Sequence, residues 1–194
     1  TPGVPSPDDL KLCMHMPGLV ASDHETDYQC YGFAFPTDRV FHGISFSALI
    51  DDADIVHHMI LYTTTSDHRS KGFFECATMP AGSVPAYAWA PGNAEFVVPA
   101  AAGYRFGGPK KDGGPAYAVL QLHYNNPNRV AGKIDSSGVL ITMTSKLRAN
   151  DAGFWPVGLN PYSNKELIPA NKPAYGVDFE YTFPAGTDIT IFAV

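Results

Sequence analysis

The chain has 194 residues, of which 45% are hydrophobic and 12% aromatic, enough apolar material to close one well-cored domain. Charged residues make up only 16%, the formal net charge is −6, and Gly and Pro number 18 and 17, a balance that excludes collagen, a coiled coil, a disordered chain and a basic nucleic-acid surface. Seven His and three Cys stand out against that background and carry the functional question.

In chain order, residues 1–11 open Pro-rich and polar, with neither an initiator Met nor the charged-then-apolar order of a signal peptide, so an extended arm at a mature or trimmed N-terminus is expected. Strand signals follow at Tyr31–Phe35, Val40–Phe46, Ile55–Tyr62, Tyr117–Tyr124, Val139–Ser145, Phe179–Phe183 and Ile189–Val194, all rich in Val, Ile, Thr, Phe and Tyr. Alternation of apolar and polar residues is clearest in Ala118–Tyr124 and Val139–Thr144, the pattern of a sheet with one buried face. Breakers such as Phe106-Gly107-Gly108-Pro109, Asp112-Gly113-Gly114-Pro115 and Asn125-Asn126-Pro127 separate these runs. Ser66–Tyr104, crowded with Pro, Gly and Ala, reads as loops, with Trp89 packing its ring into the core. No segment carries a sustained helical stripe, and no apolar run approaches the ~20 residues of a membrane-spanning helix. The expectation is an all-β, antiparallel sandwich forming a single domain over residues 1–194. The final run, Asp188–Val194, is a strand without a terminating signal, as expected of a truncated or cleaved chain.

Three cysteines allow one disulfide and one leftover, and spacing does not say which pair forms. Cys30 lies in Asp27-Tyr28-Gln29-Cys30-Tyr31 and Cys76 in Phe73-Phe74-Glu75-Cys76, both beside apolar segments, where inert buried thiols are the competing reading. Cys13 reads as the odd one.

Among the histidines, His57-His58 falls inside the apolar run Ile55–Tyr62, where two imidazoles bring no packing advantage, and His123 closes the run Tyr117–Tyr124 just before a turn. Three neutral imidazoles with no thiolate suit copper or zinc. Successive strand residues point to opposite faces, so His57 and His58 reach one ion only if a β-bulge intervenes or the ring nitrogen nearer the backbone is used. The alternative is structural: His57 donating to a backbone carbonyl in the core, His58 facing water, His123 capping a strand end. Other chemistry is poorly represented. There is no His-Glu-x-x-His helix, no Gly-x-Ser-x-Gly elbow and no phosphate loop ending in Lys. Asp51-Asp52-Ala53-Asp54 lacks the Gly and terminal Glu of a calcium loop and reads as a solvated turn.

Taken in order, Asp27-Tyr28-Gln29-Cys30, Val56-His57-His58-Met59, Ala88-Trp89-Ala90, Gly103-Tyr104-Arg105-Phe106-Gly107-Gly108, Leu120-Gln121-Leu122-His123-Tyr124 and Asp135-Ser136-Ser137-Gly138 give the chain a resemblance to the N-terminal catalytic half of the copper type II, ascorbate-dependent monooxygenases. The resemblance implies a jelly-roll β-sandwich, His57, His58 and His123 as the ligands of one electron-donating copper, Met59 as packing, and a disulfide between Cys30 and Cys76. It further implies ascorbate as reductant, a small-molecule or peptide substrate, secretion or residence in the secretory lumen, and a partner in a C-terminal second copper domain. In the family that second metal is held by a His-x-His pair and a Met, beyond the strand matching Ile189–Val194. This segment by itself is therefore expected to bind one copper ion and pass electrons, with C–H hydroxylation by O2 belonging to the parent enzyme. Tyr124-Asn125-Asn126-Pro127 looks closer to the dopamine and tyramine branch, and Gln121 closer to the peptidyl branch. Copper affinity is expected to weaken below about pH 6, where a free His begins to charge. The competing readings are a single-domain copper protein without monooxygenase activity, a metal-free sandwich that binds ligands near Trp89 or Trp155, and a zinc hydrolase on the same three His.

Overall fold

In a computed structural model of the chain, the described residues are 8–20, 23–109, 111–155, 170–176 and 180–193. The strands among them are β1 (Asp9–His15), β2 (Leu19–Val20), β3 (Thr26–Ala34), β4 (Val40–Leu49), β5 (Val56–Thr64), β6 (Phe74–Glu75), β7 (Ser83–Trp89), β8 (Phe96–Val97), β9 (Ala102–Gly107), β10 (Tyr117–Asn125), β11 (Ile134–Asp135), β12 (Gly138–Thr144) and β13 (Asn150–Ala152), with one 3-10 turn at Arg69–Lys71. One sheet runs β1-β12-β4-β9-β13, with β8 also on β4, the other runs β6-β3-β10-β5-β7, and β11 and β2 make a small ribbon. Pairing is antiparallel except between β13 and β9, so the expected all-β antiparallel sandwich is what forms.

Period-two alternation decides what each face does. From β10, Ala118, Leu120, Leu122 and Tyr124 enter the core between the sheets, where Phe46 of β4 stacks on Tyr87 of β7 at 5.4 Å and meets Tyr104 and Phe106 edge-on. The opposite face of the same strand presents Val119, Gln121 and His123. There Val119 joins Cys30, Tyr62 and Cys76 in a second, smaller apolar cluster on the outside of the sheet. Cys30 and Cys76 are disulfide-bonded, Cα atoms 5.9 Å apart, and Cys13 is a free thiol on the exposed side of β1.

Three expectations need correction. Of the arm foreseen over residues 1–11, Asp9–Lys11 are strand instead, paired with Thr142–Thr144, and residues 1–7 lie outside the described residues. Their charged side chains hide the strand signal, while the edge of β12 supplies the partner. Ser66–Tyr104 is not all loop, since it holds β6, β7, β8 and the start of β9. Pro85 masked β7, which is an edge strand with a register shift between Leu61 and Tyr62 of its neighbour, the setting in which a sheet tolerates Pro. Finally, the strands expected at Phe179–Phe183 and Ile189–Val194 are not seen over residues 180–183 and 189–193, while Phe179 and Val194 lie outside the described residues. Strand propensity is realised only against cross-strand neighbours, and among the described residues none pairs with these segments. Residues 155–194 form a unit separate from residues 1–154, in which Trp155, Tyr181 and Phe183 cluster their rings.

Candidate metal centre

The geometric conflict between His57 and His58 is resolved by the register of β5 against β10. His58 lies opposite His123, but the next pair is Val56 with Tyr124, so His57 is the extra residue of a β-bulge. Val56 and Met59 both point into the core, and the two residues between them face outward together. Without the bulge, alternation would send one of the two imidazoles inward.

The three rings converge. His57 Nδ1 and His58 Nδ1 lie 3.1 Å apart, and His123 Nδ1 is 3.3 Å from His58 Nδ1. One ligand atom from each residue falls within 4.8 Å of the others. Nitrogens bound at about 2.0–2.1 Å to one ion in tetrahedral or trigonal geometry sit roughly 3.3–3.6 Å apart, so a single ion fits with small ring adjustments. The converging atoms are the ring nitrogens nearer the backbone.

Electrostatics favour the neutral ligands that a metal requires. Burial holds His123 well below the ordinary imidazole value, at about 4, and the neighbouring His58 and His57 push the same way. Burial also lowers His58, again with help from His57. The stability consequence has a definite sign. Unfolded, His123 takes up its proton near 6.5, whereas folded it does so only near 4. Acidification through that window therefore favours the unfolded chain, and the loss is complete below the folded value. Discounted for water around a partly exposed ring, the effect is of order 1–2 kcal/mol. Urea midpoints of metal-free protein at pH 7.5 and 4.5 should fall more steeply for the wild type than for His123→Leu. Equal slopes would mean that the ring is already charged in the native state.

Two neighbours escape sequence reasoning. Tyr28 of β3 lies opposite His123 in the ladder and stacks on it, centroids 4.2 Å apart and planes 1° from parallel, fixing the plane of the imidazole. Its motif was visible, but a cross-strand pairing is not. Gln121 donates from its side-chain amide to the Cys76 carbonyl and accepts from the Tyr62 hydroxyl at 3.4 Å, joining the disulfide cluster to the strand that carries His123. A hollow of about 250 Å³ bordered by Ile60, Ala88, Trp89 and Asn93 opens beside His58. Trp89 borders it and is also packed against the core, its indole N–H donating to the Asn93 carbonyl at 3.3 Å.

The remaining described histidines do different work. His42 is fully buried: its Nδ1 accepts the Arg148 backbone N–H at 3.0 Å, so Nε2 carries the proton and donates to Asp151 at 2.9 Å. A Cβ at Gly103 would fall 2.5 Å from that of His42, so only glycine lets β9 close over the ring. His15 lies against the Met16 carbonyl and His68 stacks on Phe74. None joins the cluster, which is the one group of three or more candidate ligands among the described residues.

Fold and site together define a β-sandwich that carries a three-imidazole cluster on a bulge, a donor set that could hold one copper or zinc ion. Residues 12–131 match the model of the copper type II ascorbate-dependent monooxygenase N-terminal domain, and the chain belongs to that family. It is similar to dopamine beta-hydroxylase of Homo sapiens, 30% identical over 189 residues covering 90% of this chain and 30% of the relative. It is also similar to the DBH-like monooxygenase protein 1 of Gallus gallus (30% identical, 71% of this chain, 24% of the relative) and to tyramine beta-hydroxylase of Caenorhabditis briggsae (29% identical, 79% of this chain, 27% of the relative). The chain thus spans under a third of the length of these relatives.

Proposed function

We propose that this chain is the copper-binding electron-transfer domain of a copper- and ascorbate-dependent monooxygenase that hydroxylates C–H bonds using O2. The observation that carries the reading is the convergence of His57, His58 and His123 Nδ1 atoms, outside the core, in a chain of a copper monooxygenase family. A copper ion held there supplies reversible one-electron transfer. The residues do the rest: the bulge turns both β5 imidazoles to one side, Tyr28 fixes the His123 ring, and Met59 packs beneath them in the core. His57 is exposed and the hollow beside His58 is open, so a small reductant such as ascorbate has a path to the centre. The substrate, a small molecule or peptide, and the second copper domain belong to the parent enzyme, in keeping with the greater length of the relatives. The Cys30–Cys76 disulfide supports a secreted protein or one in the secretory lumen, where such bonds persist.

Titrating the 194-residue chain with copper in the presence of ascorbate, followed by dialysis and metal analysis, is expected to leave one copper ion per chain. Retention of no metal would favour a ligand-binding sandwich instead. Selective retention of zinc over copper would favour the hydrolytic reading.

A further inference from the structure

The motif Asp135-Ser136-Ser137-Gly138 has no part in the metal site by contact, yet its first residue is fully buried and carries an unusual load. Asp135 Oδ2 accepts the Tyr124 hydroxyl at 2.8 Å and the Ser137 backbone N–H at 3.1 Å. Its Oδ1 accepts the Ser137 hydroxyl at 2.6 Å and the Asp52 backbone N–H at 3.2 Å. The carbonyl of Asp52 in turn accepts the Val56 N–H at 3.1 Å. Val56 and Tyr124 are the ladder pair next to the register break, and they directly precede His57 and follow His123. One carboxylate therefore holds both strands at the point where the bulge begins.

Resting on the functional reading above, we infer that Asp135 is the positioning residue of the metal centre: by binding Tyr124 and the Asp52–Val56 turn together it fixes the bulge that makes His57, His58 and His123 converge. The bulge needs such a device because an unbulged register would keep one more ladder pair and turn one imidazole inward. Two further links make the same turn rigid. Ser137 Oγ accepts the Asp51 N–H at 2.9 Å, and Lys133 Nζ donates to Asp52 at 3.0 Å. Each Asp135 oxygen faces one backbone N–H that cannot reverse, so Asp135→Asn must point its NH2 group at a donor whichever way the amide lies.

The test uses the 194-residue chain. Copper(I) affinity is measured by competition with a chromophoric chelator, the copper(II) EPR spectrum is recorded, and amide hydrogen exchange is followed over residues 52–58 and 122–126 of the metal-free protein. Asp135→Asn is expected to lower affinity about 10- to 100-fold, the range for loss of a group that supports a ligand. It should also change the copper hyperfine pattern and speed exchange in those two segments. Ile141→Val, a core change on β12, should lower stability and leave the spectrum as it is, which separates positioning from general destabilisation. Wild-type affinity, spectrum and exchange in Asp135→Asn would overturn the inference. Should that variant not fold, Tyr124→Phe removes one of the four donors alone, and its failure to alter spectrum and exchange would overturn the inference equally. Exchange in metal-free protein carries the test even where the wild type takes up no copper, so failure of the functional reading is seen separately.

Discussion

His123→Ala is expected to abolish stoichiometric copper binding while leaving the metal-free fold nearly unchanged. Two of the three donors would remain, on adjacent residues of one strand, and the nitrogen that closes the set from β10 would be gone. Loss of a direct ligand exceeds loss of a supporting group, so affinity should fall by more than about 100-fold. The fold has little reason to object. Nε2 of His123 is buried without a hydrogen-bond partner among the described residues, itself a cost to the native state that the substitution removes. Its packing is mainly the stack on Tyr28, on the outer face of the sheet rather than in the core. A stability change within about 1 kcal/mol is expected, the range of substitutions outside the core. Chelator competition measures the first quantity and urea unfolding of metal-free protein the second. A His123→Ala chain that still held one ion tightly would remove His123 from the ligand set. A chain that failed to fold would show that the ring has a structural duty.

The parts of this molecule legible in the sequence are those set by period. Ala118–Tyr124 and Val139–Thr144 alternate cleanly because each has one face in the core, and both are strands within a residue or so of the expected bounds. The parts that escaped depend on partners. β7 contains a Pro and two Ala, a weak strand by composition, and it forms because β5 offers an edge and Tyr87 has a core to enter. β13 is three polar or small residues held parallel to β9 while Asp151 binds Arg105 at 2.9 Å. The site divides the same way. The imidazole doublet in an apolar strand is visible at once, and so is the conflict between neighbouring strand residues. Which residue bulges is settled by a buried carboxylate nearly eighty positions further on, and the ring that orients His123 comes from a third strand.

Replacing both Cys30 and Cys76 with Ala is expected to cost about 4 kcal/mol, from the loop entropy that a link across a sequence separation of 46 removes from the unfolded chain. Against a typical stability of about 5–15 kcal/mol that is a large share, corresponding to roughly 8–16 °C in melting temperature for a chain of this size. The local setting argues against a smaller figure. The cluster around the disulfide lies outside the two-sheet core and, among the described residues, its apolar packing comes from Tyr62, Val119, Ile60 and Phe74, so packing has little capacity to replace the bond. Release of the Cys76 segment would also strip Gln121 of its carbonyl partner, leaving a buried amide to find another or go unpaired. The damage should reach the metal centre, because the Cys76 N–H donates to the Tyr28 carbonyl at 3.2 Å and Tyr28 is the ring stacked on His123. Copper affinity in the double variant should accordingly drop, though less than in His123→Ala, since all three imidazoles remain. Urea unfolding of the double variant is the proper measurement, because reductant would mix disulfide chemistry with the folding equilibrium. A loss below about 1 kcal/mol would mean that the unfolded chain is already compact in this region, and wild-type copper affinity would mean that Tyr28 keeps its place without the bond.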